Sequence, residues 1–307
     1  MPHFRLAARL ALAVLALTAC SNALANPLAK QQVSPDPVVL AAGDIAMCTN
    51  PGSKATAALL DKNEGTILAV GDEAYNHGTA EDFANCYDPT WGRFKARTRP
   101  VPGNHEYEQA GAKPYYDYFG DAAGPAGKGW YSFDVGKWHL IGLNSNCQAR
   151  VDCGASSEQV RWLKADLAAN PAPCTLAFWH HPRFSSGLHG SDPNFAPFWQ
   201  ALYDAGADLV VDGHDHSYER FALQDPNGKA DPARGIREFV VGTGGADSYK
   251  FQKPQPNSEA RQDGIFGVLK LTLHPGGYDW EYLAADGGPS FADAGGGKCH
   301  GRTSQTG

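Results

Sequence analysis

The sequence predicts an α/β fold whose strands deliver polar side chains to one site. Short apolar runs alternate along the chain with helix-like segments, and this alternation is typical of sheets covered by helices. Five of the runs are followed closely by residues of the kinds that bind metal ions. Because α/β sheets place their ligand crevices at the carboxyl ends of strands, we expect these residues to lie close together. They occur in the motifs Gly43-Asp44, Gly71-Asp72, Gly103-Asn104-His105-Glu106, His180-His181 and Gly213-His214-Asp215-His216.

The early part of the chain predicts a parallel pair of strands. Residues 38–42 and 66–70 are short apolar runs that each end at a glycine, which indicates buried strands. Between them, residues 54–61 have a helical pattern, and Ser53 is a suitable N-cap. A strand, a helix and a strand at this spacing favour a right-handed crossover connection.

The remaining elements are predicted from alternation, capping signals and turn residues. Gly136-Lys137 separates two alternating runs and predicts a hairpin. Ser156 and Gln159 fit a capping box that opens a helix reaching about residue 169. Further elements are expected as strands at 175–179, 209–211 and 238–241, a helix at 194–205, and a closing hairpin at 266–273 and 278–283.

The composition permits a full hydrophobic core and argues against a nucleic-acid partner. With 307 residues, 42% of them hydrophobic and 19% charged, the chain can form one large domain or two small ones. The formal net charge is −7, and the lysines and arginines are dispersed. The chain therefore lacks the basic patch that nucleic-acid binders use, whereas a small phosphorylated substrate remains compatible with this charge.

Residues 1–25 are predicted to be a secretory signal outside the fold. A positively charged start precedes an apolar core at residues 10–17, which is too short to span a membrane as a mature helix. Residues 17–20 resemble a bacterial lipobox, which would make Cys20 the first residue and a lipid anchor. The alternative is cleavage after Ala25, which would release a soluble protein. We favour the lipobox because it also accounts for an odd number of cysteines.

Either cleavage predicts export, to the periplasm, to the cell envelope as a lipoprotein, or out of the cell. Residues 26–37 are polar and contain prolines, so we expect a tether there. The six cysteines that remain beside Cys20 are expected to form three disulfides in an oxidising compartment. A thiolate metal site is disfavoured because the chain has no Cys-x-x-Cys spacing. Cys147 with Cys153 is the best single pairing, since it closes a short loop.

The metal-binding residue types suit a centre of two ions. Two metals a few ångströms apart can clamp a phosphate, generate a hydroxide near neutral pH and stabilise the leaving oxygen. Such a centre needs one carboxylate that bridges both ions. Asp72 fits this role because it follows a predicted buried strand and has two oxygens.

The five motifs, in this order, resemble those of the calcineurin-like metallophosphoesterases, and within that superfamily the purple acid phosphatases. The resemblance covers residues 38–283. It implies a four-layer α/β/β/α sandwich of two mixed sheets, with a catalytic domain at 38–285 and a glycine-rich tail at 286–307. Larger members carry an N-terminal β-sandwich domain, whereas here the predicted tether at residues 26–37 is all that separates the signal from the first strand. We therefore expect this chain to be a bacterial catalytic domain alone.

The resemblance also implies a ligand set for each ion. The first ion would take Asp44, Asp72, Tyr75 and His216, and the second would take Asp72, Asn104, His180 and His214. Tyr75 decides the subfamily, because many metallophosphoesterases have a histidine where this chain has Ala46. A phenolate is a hard donor that favours Fe(III), so we expect Fe(III) at the first position and divalent Fe, Zn or Mn at the second.

Other histidines receive separate expectations. His105 is expected to face the phosphate and to stabilise the transition state or protonate the leaving alcohol. His189 matches a substrate-contacting histidine of the family, and an exposed loop histidine is the competing interpretation. Because neighbouring strand residues point to opposite faces, His181 is expected to line the pocket or to pack beneath it. Asp215 is expected to orient an imidazole N–H, and His139 is expected to be structural.

The function implied by the resemblance is hydrolysis of phosphate monoesters by a metal-activated hydroxide. The substrate would be a small phosphorylated molecule. One alternative is a phosphodiesterase that acts on small diesters or nucleotides. Another is a surface lipoprotein that binds metal or phosphate without catalysis, which we disfavour because every expected ligand position is filled.

Overall fold

The computed structural model describes residues 36–147, 151–288 and 290–301. The predicted signal with Cys20, nearly all of the predicted tether and the last six residues lie outside these ranges. Within the described ranges, no helix is long and apolar enough to cross a membrane.

The described chain alternates strands with helices, as expected. The strands are β1 Val38–Ala42, β2 Thr66–Val70, β3 Thr98–Val101, β4 Tyr131–Val135, β5 Trp138–Gly142, β6 Cys174–Phe178, β7 Leu209–Asp212, β8 Tyr218–Phe221, β9 Arg237–Val241, β10 Ser258–Gln262, β11 Gly267–His274, β12 Gly277–Ala284 and β13 Ala294–Lys298. The α-helices are α1 Gly52–Lys62, α2 Ala80–Asp82, α3 Lys113–Phe119, α4 Glu158–Ala169 and α5 Ala196–Asp204. Short 3-10 or π segments are Phe83–Tyr87, Trp91–Arg97, Glu106–Glu108, Ala110–Ala112, Gly120–Ala123 and Pro193–Phe195.

The strands form two mixed sheets. The first sheet has the order β13-β12-β11-β1-β2-β3, and the second has the order β10-β8-β9-β7-β6-β5-β4. β1, β2 and β3 are parallel to one another, and so are β5, β6, β7 and β9. The outer strands of each sheet pair antiparallel, apart from β3 at one edge. Each sheet therefore has a parallel part whose strand ends point the same way.

Alternate residues of the second sheet enter two different cores, which explains the layered arrangement. In β6, Leu176 packs in the core shared with the first sheet, whereas Ala177 packs in the core shared with α4 and α5. Successive side chains of a strand point to opposite faces, so both faces of this sheet are covered. α1 buries Ala57 and Leu60 against the first sheet. The predicted α/β/β/α sandwich is confirmed.

Two predicted helix starts differ from the structure by one or two residues. α1 begins at Gly52 after Pro51, so Ser53 lies inside its first turn and caps nothing. The N-cap of α4 is Ser157, whose side chain accepts a hydrogen bond from the Val160 N–H. Gln159 does not complete a capping box, because its amide binds the backbone N–H and carbonyl of Asn144 instead.

β8, β10 and β13 were not predicted from the sequence, and β13 lies in the predicted glycine-rich tail. Its glycines are explained by the neighbouring strand. A Cβ at Gly295 would lie 2.4 Å from Trp280 Cζ2, and one at Gly297 would lie 2.5 Å from Tyr278 Cζ. Large aromatic rings of β12 thus occupy the space that side chains on β13 would need.

Three disulfides join the cysteines of the described chain. They are Cys48–Cys86, Cys147–Cys153 and Cys174–Cys299. The expectation of three disulfides is confirmed, as is the pairing of Cys147 with Cys153. Together they indicate an oxidising environment.

His139 in β5 is buried between two carboxylates. Its Nδ1 lies 2.8 Å from Asp134 Oδ1, and its Nε2 lies 2.8 Å from Asp166 Oδ2 in α4. Burial alone would lower the pKa of His139, but the hydrogen bonds and charges of Asp166 and Asp134 outweigh burial and raise it. These contacts fit the structural role expected for His139.

We expect the stabilising contribution of His139 to be lost as the pH rises. A raised pKa in the folded state means that the contribution is complete below the unfolded value of about 6.5 and disappears as the pH passes the folded value. The unfolding free energy lost in His139→Gln should therefore be larger near pH 6 than near pH 9, by roughly 1.5–3 kcal/mol, the range for a charge-assisted hydrogen bond. Urea unfolding at the two pH values measures this difference.

His274→Gln is the matched control for this measurement. His274 also lies between two carboxylates, those of Asp36 and Asp279, but its side chain is 36% exposed. Exposed ion pairs contribute little to stability, so this variant should change the pH dependence only slightly. Equal losses for His139→Gln at both pH values would contradict the prediction.

Candidate metal centre

The predicted metal ligands lie at the carboxyl ends of parallel strands from both sheets. In the first sheet, Asp44 follows β1, Asp72 follows β2 and Asn104 follows β3. In the second, His180 follows β6 and His214 follows β7. Hydrogen bonds join the two sheets here, among them one from the Gly43 N–H to the carbonyl of Val241 at the end of β9, at 2.9 Å. Two sheet edges thus converge on a single site.

Three of these residues have a strained backbone. Asp44, Asp72 and His214 have φ values of +59°, +50° and +68°. Positive φ is unfavourable for residues other than glycine, and such strain clusters at functional sites. The Asp72 carboxylate also needs Gly103 beside it, because a Cβ there would lie 2.1 Å from Asp72 Oδ1.

A first set of donor atoms surrounds the phenol oxygen of Tyr75. Tyr75 Oη lies 2.9 Å from Asp44 Oδ1, 3.1 Å from Asp72 Oδ2 and 3.0 Å from His216 Nε2. His216 Nε2 in turn lies 3.1 Å from Asp44 Oδ1. The structure therefore brings together the four residues expected to bind the first ion.

A second set of donor atoms surrounds Nε2 of His180. This nitrogen lies 3.2 Å from Asp72 Oδ2, 3.2 Å from Asn104 Oδ1 and 3.2 Å from His214 Nδ1. Asp72 Oδ2 is also part of the first set, so one carboxylate oxygen lies between the two groups. This is the arrangement that a carboxylate bridging two ions requires.

Backbone carbonyls orient two of the imidazoles. His180 Nδ1 lies 2.9 Å from the Val70 carbonyl, and His216 Nδ1 contacts the Asp247 carbonyl. Each carbonyl accepts a hydrogen bond from Nδ1, which leaves Nε2 facing the donor set. Metal-binding histidines are commonly held in this way.

The charged groups of the site shift one another's pKa. Burial alone would raise the pKa of Asp72, but His180 and His105 outweigh burial and lower it. Burial would lower the pKa of His180, but the carboxylates of Asp72 and Asp44 raise it to about 9. Burial and then the same two carboxylates raise the pKa of the Tyr75 phenol well above its usual value. A cation among these oxygens would oppose that shift, since positive charge favours the phenolate.

The donor set fits a pair of metal ions. It offers carboxylate, phenol and amide oxygens together with imidazole nitrogens, a mixture that suits iron, zinc or manganese. Burial and the neighbouring imidazoles of His181, His180 and His189 lower the pKa of His214 well below its usual value. His214 is thereby kept neutral, which is the form that binds metals.

His105 and His189 lie beside the donor sets. His105 Nε2 lies 3.7 Å from Asp72 Oδ2, and its ring packs on Tyr75 with a centroid distance of 4.4 Å. The ring of His189 lies 4.1 Å from that of His214, centroid to centroid, and the residue is exposed to solvent. Both predicted catalytic histidines are therefore close enough to contact a molecule bound at the centre.

His181 makes contacts different from those of His180. Its Nδ1 lies 2.8 Å from Ser145 Oγ, and its ring stacks on Phe195. Burial and the charge of His180 lower the pKa of His181 to about 3. His181 also has a ring nitrogen within 4.8 Å of donor atoms of His180 and His214, so the assignment of His180 as the ligand remains a prediction.

Comparison with known proteins adds to this geometry. A family model described as calcineurin-like phosphoesterase matches residues 33–218, which is more than half of the chain. The chain belongs to the calcineurin-like phosphoesterase family. This phosphoesterase is 31% identical to purple acid phosphatase 15 of Arabidopsis thaliana over 240 residues, covering 66% of the chain and 44% of that relative. It is 33% identical to purple acid phosphatase 18 of the same plant over 153 residues, covering 47% of the chain and 34% of that relative.

A solved structure supports the same fold. The purple acid phosphatase from yellow lupin (Lupinus luteus) seeds superimposes with a TM-score of 0.68 at 18% identity, covering 86% of the phosphoesterase and 54% of the lupin chain. The phosphoesterase thus spans about half the length, or less, of the purple acid phosphatases that it matches.

Three contacts around the candidate site of the phosphoesterase were not predicted from the sequence. Tyr249 stacks on His216 with a centroid distance of 4.0 Å, and Glu108 Oε1 lies 3.4 Å from His105 Nδ1. Glu106 is fully buried beneath the site and accepts hydrogen bonds from backbone N–H groups, including that of Asp72 at 3.0 Å. Glu106 lies inside a recognised motif, whereas Tyr249 lies in a loop with no distinguishing pattern.

The role expected for Asp215 was wrong. Within the described residues, its carboxylate has no hydrogen bond with an imidazole nitrogen. Its oxygens instead accept hydrogen bonds from the Ser185 hydroxyl and from the His189 backbone N–H. These two contacts join Asp215 to residues 30 and 26 positions away, and local sequence patterns do not reveal contacts at such separations.

Proposed function

We propose that this phosphoesterase hydrolyses phosphate monoesters of small molecules at a dinuclear metal centre. The observation that carries the proposal is the pair of donor sets that share Asp72 Oδ2, each drawn from both sheets. The similarity to named purple acid phosphatases supports it. The absence of a basic patch in the sequence supports a small substrate over a nucleic acid.

Each of the two donor sets would hold one ion. Asp44, Tyr75 and His216 would hold the first ion; Asn104, His180 and His214 would hold the second; Asp72 would bridge them. Two ions bound in this way would polarise the phosphoryl oxygens and lower the pKa of a bound water. The protein fixes this geometry through the carbonyl hydrogen bonds to His180 and His216.

His105 is suited to protonate the leaving alcohol. Its Nδ1 donates a hydrogen bond to the Asn76 carbonyl and lies 3.4 Å from Glu108 Oε1. These contacts hold the ring so that Nε2 lies on the side that faces Asp72. An imidazole held in this position can transfer a proton to an alcohol oxygen that develops negative charge.

His189 and Tyr249 form part of the rim. The two rings have a centroid distance of 5.6 Å, and each also packs on a predicted ligand, His214 for His189 and His216 for Tyr249. From this position, the His189 imidazole can donate a hydrogen bond to a phosphate oxygen. We therefore assign His189 to substrate binding.

Comparing nitrophenyl phosphate with bis-nitrophenyl phosphate tests the proposal. The metal-loaded protein is expected to release nitrophenol from the monoester with the higher kcat/KM. Faster turnover of the diester would favour the phosphodiesterase alternative. Phosphate binding without turnover of either ester would favour the non-catalytic alternative.

We also propose Fe(III) at the first position, because Tyr75 Oη is a hard oxygen donor. Concentrated iron-loaded protein should then show a visible charge-transfer band and a violet to pink colour. Tyr75→Phe keeps the ring and removes the oxygen, so the band should vanish completely. A visible spectrum, combined with metal analysis, measures this.

The same variant separates a ligand from a structural tyrosine. If Tyr75 only made core hydrogen bonds, the variant would lose about 0.5–1.5 kcal/mol of stability and change no spectrum. A colourless iron-loaded wild type, or a Tyr75→Phe variant that keeps its colour, would remove Tyr75 from the ligand set.

Export is a further part of the proposal, supported by the three disulfides. A chain processed at Cys20 would carry lipid, whereas one cleaved after Ala25 would begin at Asn26. The intact mass of the purified protein distinguishes these two forms, and an unprocessed chain that starts at Met1 would count against export.

A further inference from the structure

Asp215 is a buried carboxylate that serves a substrate-facing segment. Its side chain is almost completely buried, and it lies in sequence between the predicted ligands His214 and His216. One carboxylate oxygen accepts a hydrogen bond from the Ser185 hydroxyl. The other accepts a hydrogen bond from the His189 backbone N–H at 2.8 Å. A single side chain therefore holds two points of the segment 185–189.

This segment passes directly over the Asp215 carboxylate. A Cβ at Gly187 would lie 2.3 Å from Asp215 Cγ and 2.6 Å from each carboxylate oxygen. The Gly187 N–H donates to Ser185 Oγ at 2.9 Å, which tightens the turn. Only glycine permits so close an approach, so the backbone of the segment lies directly against the carboxylate.

A different carboxylate holds the middle of the segment. The Ser186 backbone N–H donates to Glu219 Oε2 at 2.8 Å, and its hydroxyl also donates to Glu219. The Ser186 carbonyl accepts the Gln252 N–H at 3.0 Å. These contacts do not involve Asp215, so the segment should stay attached when Asp215 is changed. What Asp215 adds to these contacts is the hydrogen bond that holds His189 in position.

His189 depends on its backbone for its position. Among the described residues, its imidazole makes no hydrogen bond to a protein group, and the residue is exposed. Its ring packs beside two others, with centroid distances of 4.1 Å to His214 and 5.6 Å to Tyr249. The Asp215 hydrogen bond to the His189 N–H is therefore the polar contact that fixes this residue over the centre.

We propose that Asp215 is a positioning residue for phosphate binding, which acts by holding His189 over the metal centre. The proposal rests on the proposed function, because it assigns the bound group as phosphate. It places Asp215 neither among the metal ligands nor in contact with the substrate. Its effect on the reaction should pass entirely through the His189 side chain.

A double-mutant cycle tests this dependence. The proteins are wild type, Asp215→Ala, His189→Ala and the variant with both changes, each loaded with metal and checked for metal content. The measured quantities are the Kd of inorganic phosphate by calorimetry, and kcat and KM for nitrophenyl phosphate. The cycle isolates coupling, because residues that act as one unit give non-additive effects.

Each single variant is expected to weaken phosphate binding and raise KM by about 10-fold or more, since small displacements of a positioned group have effects of this size. The decrease in kcat should be smaller, and both metals should be retained. The double variant should be no worse than His189→Ala alone. Fully additive effects, loss of metal in Asp215→Ala, or an unchanged Kd in Asp215→Ala would each overturn the proposal.

Further variants address folding and specificity. Asp192→Ala is the matched control, because within the described ranges that carboxylate accepts a hydrogen bond only from the Asn194 N–H, so the change should leave Kd and KM unaltered. If Asp215→Ala does not fold, Gly187→Ala and Ser185→Ala replace it in the cycle. Both should weaken phosphate binding only when His189 is present, and an equal effect without His189 would overturn the proposal.

The phosphate measurement separates this inference from the proposed function. A wild-type protein that binds phosphate but turns over no ester would contradict the proposed function, and the cycle in Kd would still test Asp215. A wild-type protein that turns over monoesters while the cycle is additive would contradict the role of Asp215 alone. A wild-type protein that binds no phosphate would overturn both.

Discussion

Replacing Asp72 with asparagine is expected to remove metal and nearly all of the proposed phosphatase activity. Asp72 Oδ2 lies 3.1 Å from Tyr75 Oη and 3.2 Å from His180 Nε2, which places it between both donor sets. Asparagine keeps the shape but lacks the negative charge that a bridge between two cations needs. If the centre supplies several kcal/mol of transition-state stabilisation, the loss in kcat/KM should be roughly 10³-fold or larger.

The measurement is metal content together with kcat/KM for nitrophenyl phosphate. Asp117→Asn is the matched control, since this exposed carboxylate pairs with Lys113 and belongs to neither donor set, and the variant should retain both metals and full activity. An Asp72→Asn protein that folds, keeps two metals and turns over at the wild-type rate would show that Asp72 is not the bridge.

The second large effect is a contrast between two adjacent histidines. His180→Ala is expected to lose the second ion and most activity, because His180 Nε2 lies 3.2 Å from donor atoms of Asp72, Asn104 and His214. His181→Ala removes a hydrogen bond to Ser145 and a stacked ring instead. It should cost about 1–3 kcal/mol of stability through these contacts and far less activity.

The two variants serve as controls for each other, since each removes one imidazole at the same place in the chain. Metal analysis should show the greater loss of metal in His180→Ala. Unfolding in urea should show the greater loss of stability in His181→Ala, whose activity should decrease less. Because His181 also lies near His214, the reverse ranking of metal loss would identify His181 as the ligand.

The parts of the fold that sequence patterns predicted are those that carry their own signal. β1 and β2 are contiguous apolar runs that end at glycine and aspartate, so their hydrophobicity locates both the strand and the site. β10 and β13 carry no such pattern, because they are polar or glycine-rich and are stabilised by pairing with β8 and β12. Their existence depends on a partner strand that local sequence does not identify.

The same distinction applies to the site. The residues expected to bind metal lie in short motifs, and the structure brings them together. Tyr249 was not predicted because its contact with His216 joins residues far apart in sequence. The role of Asp215 was misjudged for a related reason. Its sequence neighbours are predicted ligands, but its hydrogen bonds go to Ser185 and His189.

The pairing of β1 with β11 has a consequence for the order of folding. Val39 lies opposite Leu271, so a central strand of the first sheet finds one of its two neighbours only near the end of the described chain. All seven predicted ligands, the last of which is His216, come before that partner. A fragment that ends before Gly267 would contain every motif and still expose one side of β1. All seven predicted ligands therefore precede, in the polypeptide, a hairpin that contributes none of them and that completes the pairing of a central strand beneath the site.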